Sequence, residues 1–327
     1  MTRKSKKVEK VVSGGMISPD ARELLAMLTM KRPSGGAGEA AFIARYIDPL
    51  GALGDAYGNR WVTVGEGSPV LWSCHTDTVH RTEGTQRVLY GLGVASVEAG
   101  ECLGADDGAG VWLMCQMIRA GVAGTYVFHR DEEIGGGGSE FVAEMDGWLD
   151  GIKFAVAFDR KGTGDIITHQ GGRRCASEAF ARSLAEALRP LDYVASDGGS
   201  FTDTANYMGI VPECTNISVG YHKQHTGHEW LDVGHLVRLR DIMVTANFDD
   251  LVCERDPAAR DEWADRFVVK AWDTDLWADG RDLDGARPRD EFEDYVRRHA
   301  GDVAAFLTDL GYGTDDVDDY IFYGKGR

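Results

Sequence analysis

Four short apolar runs, at positions 70–73, 124–128, 154–158 and 215–219, recur along the chain, and each gives way to histidine, aspartate or glutamate. Runs of this length, apolar at nearly every position rather than every second one, predict strands buried on both faces, as in a largely parallel sheet covered by helices. Segments with helical spacing lie between them. Ser18-Pro19-Asp20 predicts a helix start, with serine as the N-cap and proline in the first turn, and Leu24, Leu25, Met27 and Leu28 form its apolar face. A second helix is predicted over 39–50, carried by Ala41, Phe42, Ile43, Tyr46 and Ile47. Residues 111–118 are apolar nearly all round, which predicts a buried helix, and further helices are expected over 139–145, 177–188 and 234–247. Arg60 to Val64 reads as a strand pairing with Pro69 to Ser73 across the Gly65-Glu66-Gly67 turn.

Polar residues that follow buried strands are where open α/β sheets bind and react. The most conspicuous stretch is Phe128-His129-Arg130-Asp131-Glu132-Glu133-Ile134, followed by glycine at 135, 136, 137 and 138. Two adjacent carboxylates thus stand where a buried strand runs into a loop able to take positive φ. Glu133 could hold a metal there while Glu132 reaches a water as general base, although a solvated acidic turn would look the same in isolation. His75 and Asp77 follow another run and share one side of the chain, as a metal-bound imidazole and its orienting carboxylate would. Asp106 and Asp107 open the buried helix, where the helix dipole alone would favour them and bridging two cations is the alternative. Asp159 ends the run at 154–158. Any one of these motifs is weak; ligand-type residues at four run ends and one helix mouth make a pattern.

The 327 residues are 43% hydrophobic and 27% charged, as in a globular chain of one large or two smaller domains, and the formal charge is -18. That charge disfavours nucleic acid and anionic membrane surfaces as partners, and suits metals and cationic substrate ends. The first dozen residues are basic, with Arg3, Lys4, Lys6, Lys7 and Lys10, but no apolar stretch follows. Residues 1–17 are therefore read as a flexible lead-in rather than a secretory signal, and no apolar run is long enough to span a bilayer. Cys74, Cys102, Cys115, Cys175, Cys214 and Cys253 form no CxxC pair and read as reduced thiols of a cytoplasmic protein, with Cys74 in the core.

Taken in order, the Pro-Ser-Gly segment between Met30 and Gly38, Gly58-Asn59 before a strand, SCHTDTV, LGADDGAG, DEEIGGGGS, AFD, GIVPECTNISVG and HTGHE resemble the co-catalytic di-zinc exopeptidases. That clan includes peptidase T, the tetrahedral aminopeptidases, the carboxypeptidase G2 group and the bacterial leucyl aminopeptidases. The resemblance covers roughly residues 20–235. It implies, for residues 18–250, an α/β three-layer sandwich with a mixed, mostly parallel central sheet flanked by helices. It also implies His75 and Asp159 on a first metal, Glu133 and His225 on a second, Asp106 bridging both, Asp77 orienting His75, and Glu132 as general base. His225 is chosen because Glu229 completes a His-x-x-x-Glu pattern; His228 is the fallback and His222 the weaker choice. The bond between Asp106 and Asp107 is one that is often cis in this family. Two zinc ions, with cobalt or manganese as substitutes, would lie about 3.5–4 Å apart and share a hydroxide.

Peptidase T and carboxypeptidase G2 carry a lid or dimerisation domain after the position of Asp159. Here only about forty residues separate Asp159 from Phe201. The lid is therefore expected to be missing, and with it any lid-mediated dimer. The resemblance points to a metallo-exopeptidase, in the first place an aminopeptidase on short peptides. A carboxypeptidase or an N-acyl amino acid amidohydrolase would need a cation for the substrate carboxylate, for which Arg173, Arg174 or Lys161 are available. A single-zinc transferase like glutaminyl cyclase, or a binding protein on a retired scaffold, are the remaining classes. Residues 251–327 have no counterpart in the resemblance. Trp263, Trp272 and Trp277, predicted helices over 289–299 and 302–310, and the acids Asp315, Asp316, Asp318 and Asp319 suggest a small, acidic, mainly helical extension.

Overall fold

In the computed structural model, which describes residues 19–259 together with 300 and 301, the four apolar runs become neighbouring strands of one sheet. Its strands are β1 (Leu53–Gly54), β2 (Arg60–Val64), β3 (Val70–His75), β4 (Gly124–His129), β5 (Phe154–Arg160), β6 (Asp165–Ile167), β7 (Val194–Ser196) and β8 (Glu213–Ser218). They are arranged in the order β7-β6-β8-β5-β3-β4-β2-β1. The central pairs β8/β5, β5/β3 and β3/β4 are parallel, as are β6 and β7, whereas β2/β4, β1/β2 and β6/β8 are antiparallel. Every residue of β3 is buried, as a strand covered on both faces requires.

The helices are α1 (Pro19–Leu28), α2 (Ala37–Phe42), α3 (Ala105–Ala120), α4 (Gly137–Glu144), α5 (Glu178–Ala187) and α6 (Val233–Met243). Trp72 and Ser73 on β3 show how they cover the sheet. Trp72 stacks on Phe158 at 5.7 Å and meets Phe248, just past α6, edge-on at 5.0 Å; α6 and α1 in turn pack on α3. Ser73 faces the other way and reaches His129, which contacts Asp203 and Tyr207 of the single-turn helix Asp203–Tyr207, against which α4 packs. Successive strand residues point to opposite faces, so helices lie on both sides of the sheet and the α/β class expected from the sequence holds. Local signals set the helix ends: Ser177 Oγ accepts the Phe180 N–H at the start of α5, and Gly121, at φ 79°, closes α3.

Two expectations need correction. Arg60–Val64 does not pair with the following run; β4 is inserted between them, antiparallel to β2 and parallel to β3. A strand as apolar as β3 needs a partner on each edge as well as cover on each face, and the short Gly65 to Pro69 link steps across one intervening strand. The helix expected over 39–50 is broken into α2, a π-type turn at Ile43–Ile47 and a 3-10 turn at Asp48–Leu50. Pro49 lies at the end of that stretch and cannot continue an α-helical ladder.

A smaller four-stranded sheet went unread in the sequence. Its strands Val88–Gly91, Val94–Val97, Trp230–Asp232 and Tyr221–His222 pair antiparallel and carry the 223–229 loop on one hairpin. Between Asp159 and Phe201 the chain supplies the end of β5, β6, a short hairpin, α5 and β7, all belonging to the α/β layers; among the described residues no lid domain intervenes. Residues 251–259 are irregular and still held beside β8: Arg255 donates to the carbonyls of Met208, Val211 and Pro212. The 1–17 lead-in, Ser18, and the tryptophans, helices and acid cluster expected beyond position 260 lie outside the described residues. No helix among the described residues is long and apolar enough to cross a membrane.

Trp72 fixes the central strand to the helical layer through ring stacking and its Nε1 bond to the Ala123 carbonyl at 3.2 Å. Replacement by alanine leaves a cavity at the middle of the core, and Trp72→Ala should cost about 3–5 kcal/mol of unfolding free energy, read as a shifted urea midpoint at unchanged slope.

Candidate metal centre

Parallel pairing brings the ends of β3, β4 and β5 side by side, with His75 level with His129. His75 ends β3, Glu132 and Glu133 form a 3-10 turn just past β4, Asp159 sits near the end of β5, and Asp106 stands at the mouth of α3. His225 arrives from the loop of the small sheet, with φ 64°. The five residues meet. His75 Nε2 lies 3.1 Å from Asp106 Oδ1 and 3.6 Å from Asp159 Oδ1, while His225 Nε2 lies 3.1 Å from Asp106 Oδ2 and 3.0 Å from Glu133 Oε2. Asp106 therefore faces a different imidazole with each oxygen. His222 stacks on Trp230 instead, and His228 is exposed.

Asp77 is fully buried, its Oδ1 3.3 Å from His75 Nδ1. It also accepts the N–H groups of Glu132 and Glu133, each at 3.2 Å, so one carboxylate fixes both an imidazole and the neighbouring acidic turn. Asp107 follows Asp106 through a cis peptide bond and is engaged differently, accepting from the N–H groups of His75 and Gly110. Gly110 is required here: a Cβ would sit 2.5 Å from the Asp107 oxygens and from the Phe158 carbonyl, blocking the approach of α3 to β5.

Several supports have no structural role assigned by the sequence, although Glu229 completes the His-x-x-x-Glu pattern. Glu229 is buried and accepts four N–H groups, from Leu103, Gly104, Ala105 and Asp106, at 2.7–3.1 Å. The Arg32 guanidinium, also fully buried, donates to the carbonyls of Thr76 and Gly104 at 3.0 and 2.9 Å. Thr202 and Tyr221 hydroxyls donate to the two oxygens of Asp159, at 2.7 and 2.9 Å. Polar residues of these types are common anywhere on a surface; only the fold turns them inward.

The protonation pattern shows what the cluster wants. Burial alone would lower the His75 and His225 imidazoles, but contacts with Asp106 on both sides, and with Asp159, Asp77 and Glu133, raise them well above the ordinary histidine value. Burial would raise Asp106, yet hydrogen bonds from His225 and His75 hold it far below the usual carboxylate range. Burial and Asp106 push Asp159 up to about 6, and burial with neighbouring acids raises Glu132, Glu133 and Asp107. So many acids cannot ionise together without added positive charge. Glu133 Oε1 is buried without a hydrogen-bond partner, and ligand-type atoms of His75, Asp106 and Glu133, and of His75, Asp107 and Asp159, each fall within 4.8 Å of one another. Imidazole and carboxylate donors in this arrangement fit divalent transition-metal cations, zinc among them.

A cleft opens beside these residues, with Ile167, Phe201 and Tyr221 on its wall. Comparison with solved structures gives the architecture its context. A tripeptidase from Staphylococcus aureus superposes with a TM-score of 0.58 at 14% identity, covering 70% of this chain and 98% of that one. The aminopeptidase PepT from Bacillus cereus gives 0.57 at 14% identity, covering 69% and 96%. The chain has the co-catalytic zinc-exopeptidase fold. A third relative by structure, the TET1 peptidase of Pyrococcus horikoshii, gives 0.52 at 18% identity over 69% of this chain and 99% of that one, and assembles into a tetrahedron or a large octahedral shell. No protein-family model matches the chain, and no curated protein sequence matches it. The likeness within this exopeptidase fold is thus carried by backbone geometry rather than by overall sequence identity.

Two measurements probe the centre. Glu229→Ala strands buried N–H groups beside Asp106 and should cost about 3 kcal/mol in urea unfolding while weakening zinc uptake measured by calorimetry. The pH dependence follows from the signs of the shifts. Groups raised in the fold, His75, His225 and the acids led by Asp159 at about 6, contribute stability present at low pH and lost as pH rises through their folded values. Asp106, depressed, works oppositely, and its contribution is already complete above about pH 4, its unfolded value. Chelator-treated protein should therefore lose thermal stability as pH rises above about 4, first through Asp159 and then, past about 6.5, through the two imidazoles, and metal should restore it increasingly as pH rises, as melting curves at matched ionic strength will show.

Proposed function

We propose that the protein is a metal-dependent exopeptidase acting on short peptides, working as an aminopeptidase, with His75, Asp106, Asp159, Glu133 and His225 as ligands of two divalent cations. The observation that carries this reading is Asp106, whose Oδ1 and Oδ2 each face a separate histidine, His75 and His225, each of which in turn faces a second carboxylate, Asp159 and Glu133 respectively. A single-zinc transferase needs only one of those two halves. Zinc is the expected metal, with cobalt or manganese able to substitute. When bound, the pair supplies Lewis-acid polarisation of the scissile carbonyl and lowers the pKa of an attacking water.

The chain's own groups do the rest. Glu132, raised above its ordinary value by burial and by Asp159, Asp203 and Glu133, stands at the cleft as the group that takes the water's proton and returns it to the leaving amine. Asp77 holds His75 and the backbone of Glu132 in one orientation. Thr202 and Tyr221 keep both Asp159 oxygens directed into the site. Residues 18–250 form the catalytic unit in this reading. Six free cysteines, five of them buried, suit the reducing cytoplasm.

Glu132→Gln should lower kcat on amino-acid anilides or dipeptides by about 10²–10⁴-fold while metal content, read by mass spectrometry of the metals, stays at the wild-type value. Chelator should abolish wild-type turnover and zinc should restore it. Wild-type rates in Glu132→Gln would remove the general-base role, and a panel of anilides, dipeptides and N-acyl amino acids left untouched by the zinc-loaded protein would remove the peptidase itself.

A further inference from the structure

Arg160 and Lys161 follow Asp159 directly, where β5 leaves the sheet, and both line the cleft with Glu132, Asp159 and His225. The two cations differ in what they already hold. Arg160 directs Nε and Nη2 to Asp165 Oδ2, each at 3.1 Å, so its charge is matched within the chain. The Lys161 ammonium has no hydrogen bond or ion pair among the described residues, although its backbone is held firmly. Its carbonyl accepts Ser218 Oγ at 2.7 Å. The next residue, Gly162, donates to the Tyr221 carbonyl and accepts from the Gly220 N–H, both at 2.8 Å, at φ +83°. A half-buried, unmatched ammonium on a fixed backbone, in a chain of formal charge -18, is placed to receive an anion from outside the chain. Arg173 and Arg174 lie exposed on a hairpin and do not line the cleft.

We infer that Lys161 receives the free α-carboxylate of the substrate, so that the protein selects dipeptides and tripeptides with an unblocked carboxyl end. This rests on the exopeptidase reading above and narrows its substrate class. A carboxylate one residue past the scissile bond lies about 4 Å from the reacting carbonyl, and each further residue adds at most about 3.6 Å, so only short peptides keep that group within reach of a side chain two positions from Asp159. Ile167 and Phe201 on the same wall offer an apolar surface for a substrate side chain. With no lid among the described residues, recognition of the substrate's far end falls to the strand-end loop itself.

The test compares leucylglycine with leucylglycinamide on the zinc-loaded full chain, wild type, Lys161→Gln and Lys161→Arg. Wild type should show a KM about tenfold lower for the acid than for the amide at similar kcat. Lys161→Gln should raise KM for the acid to that of the amide and leave the amide unchanged, and Lys161→Arg should restore the preference. Equal KM values for acid and amide in wild type overturn the proposal. If neither compound is hydrolysed, the peptidase reading falls and calorimetry on the same proteins decides the carboxylate site: tighter binding of the acid that disappears in Lys161→Gln supports it, and equal binding ends it.

Discussion

Carboxylates gathered at one edge of a sheet repel one another, and burial strips away the water that would soften that repulsion. Asp106, Asp107, Glu132, Glu133 and Asp159 are held together here despite it. The two imidazoles offset part of the charge, one on each side of Asp106. The remainder of the positive potential within the chain comes from backbone N–H groups and from Arg32, whose guanidinium is spent on carbonyls rather than on any of the acids. Those groups position more than they neutralise. Arg32 ties the Thr76 backbone, between His75 and Asp77, to Gly104 just before the α3 mouth, and Glu229 grips the four N–H groups that follow from Leu103. In the proposed reading, divalent cations would complete a balance that the fold leaves open.

A further ring of contacts ties the acidic turn to the start of the chain. Glu39 is fully buried and accepts Arg130 Nη2 at 3.0 Å, the Gly35 N–H at 2.9 Å and the Thr76 hydroxyl at 2.5 Å. Asp131, at φ 63°, accepts the hydroxyls of Ser34 and Tyr57. The Ser34–Gly36 loop thus braces the turn bearing Glu132 and Glu133 from behind, and the glycines after it provide bend without setting the direction of the two acids. The Glu39–Arg130 pair is worth less as net stability than as a fixed geometry, because desolvating two charges cancels much of their attraction.

With no lid among the described residues, the walls of the cleft come from short connections within the α/β layers and from the small four-stranded sheet. That sheet delivers His225 from outside the main sheet on a hairpin whose far end is anchored by buried Glu229. Its Nε2 faces Asp106 and Glu133 while the side chain remains 49% exposed, so the cluster has one rim open to the cleft and to solvent. A centre built this way is open on one side, where the proposed peptide substrate would enter.

The sequence alone determined the α/β class and the polar run ends that the fold brings together, because each depends on local patterning: apolar runs make buried strands, and strands end where polar residues begin. His75, Asp106, Glu133, Asp159 and His225 stand out by residue type, spacing and resemblance, all of which are properties of the chain read in one dimension. The wrong pairing of β2 and the unread small sheet share one cause, since strand neighbours are chosen by long-range burial that adjacent residues do not encode. Arg32, Glu39, Thr202 and Tyr221 belonged to the same blind spot, and Lys161, which the sequence offered only beside Arg173 and Arg174, was set apart from them by the fold. Each is an ordinary polar residue until parallel pairing of β3, β4 and β5 turns it toward the acids, and only the tertiary structure decided which of them faces the cleft and which holds it in place.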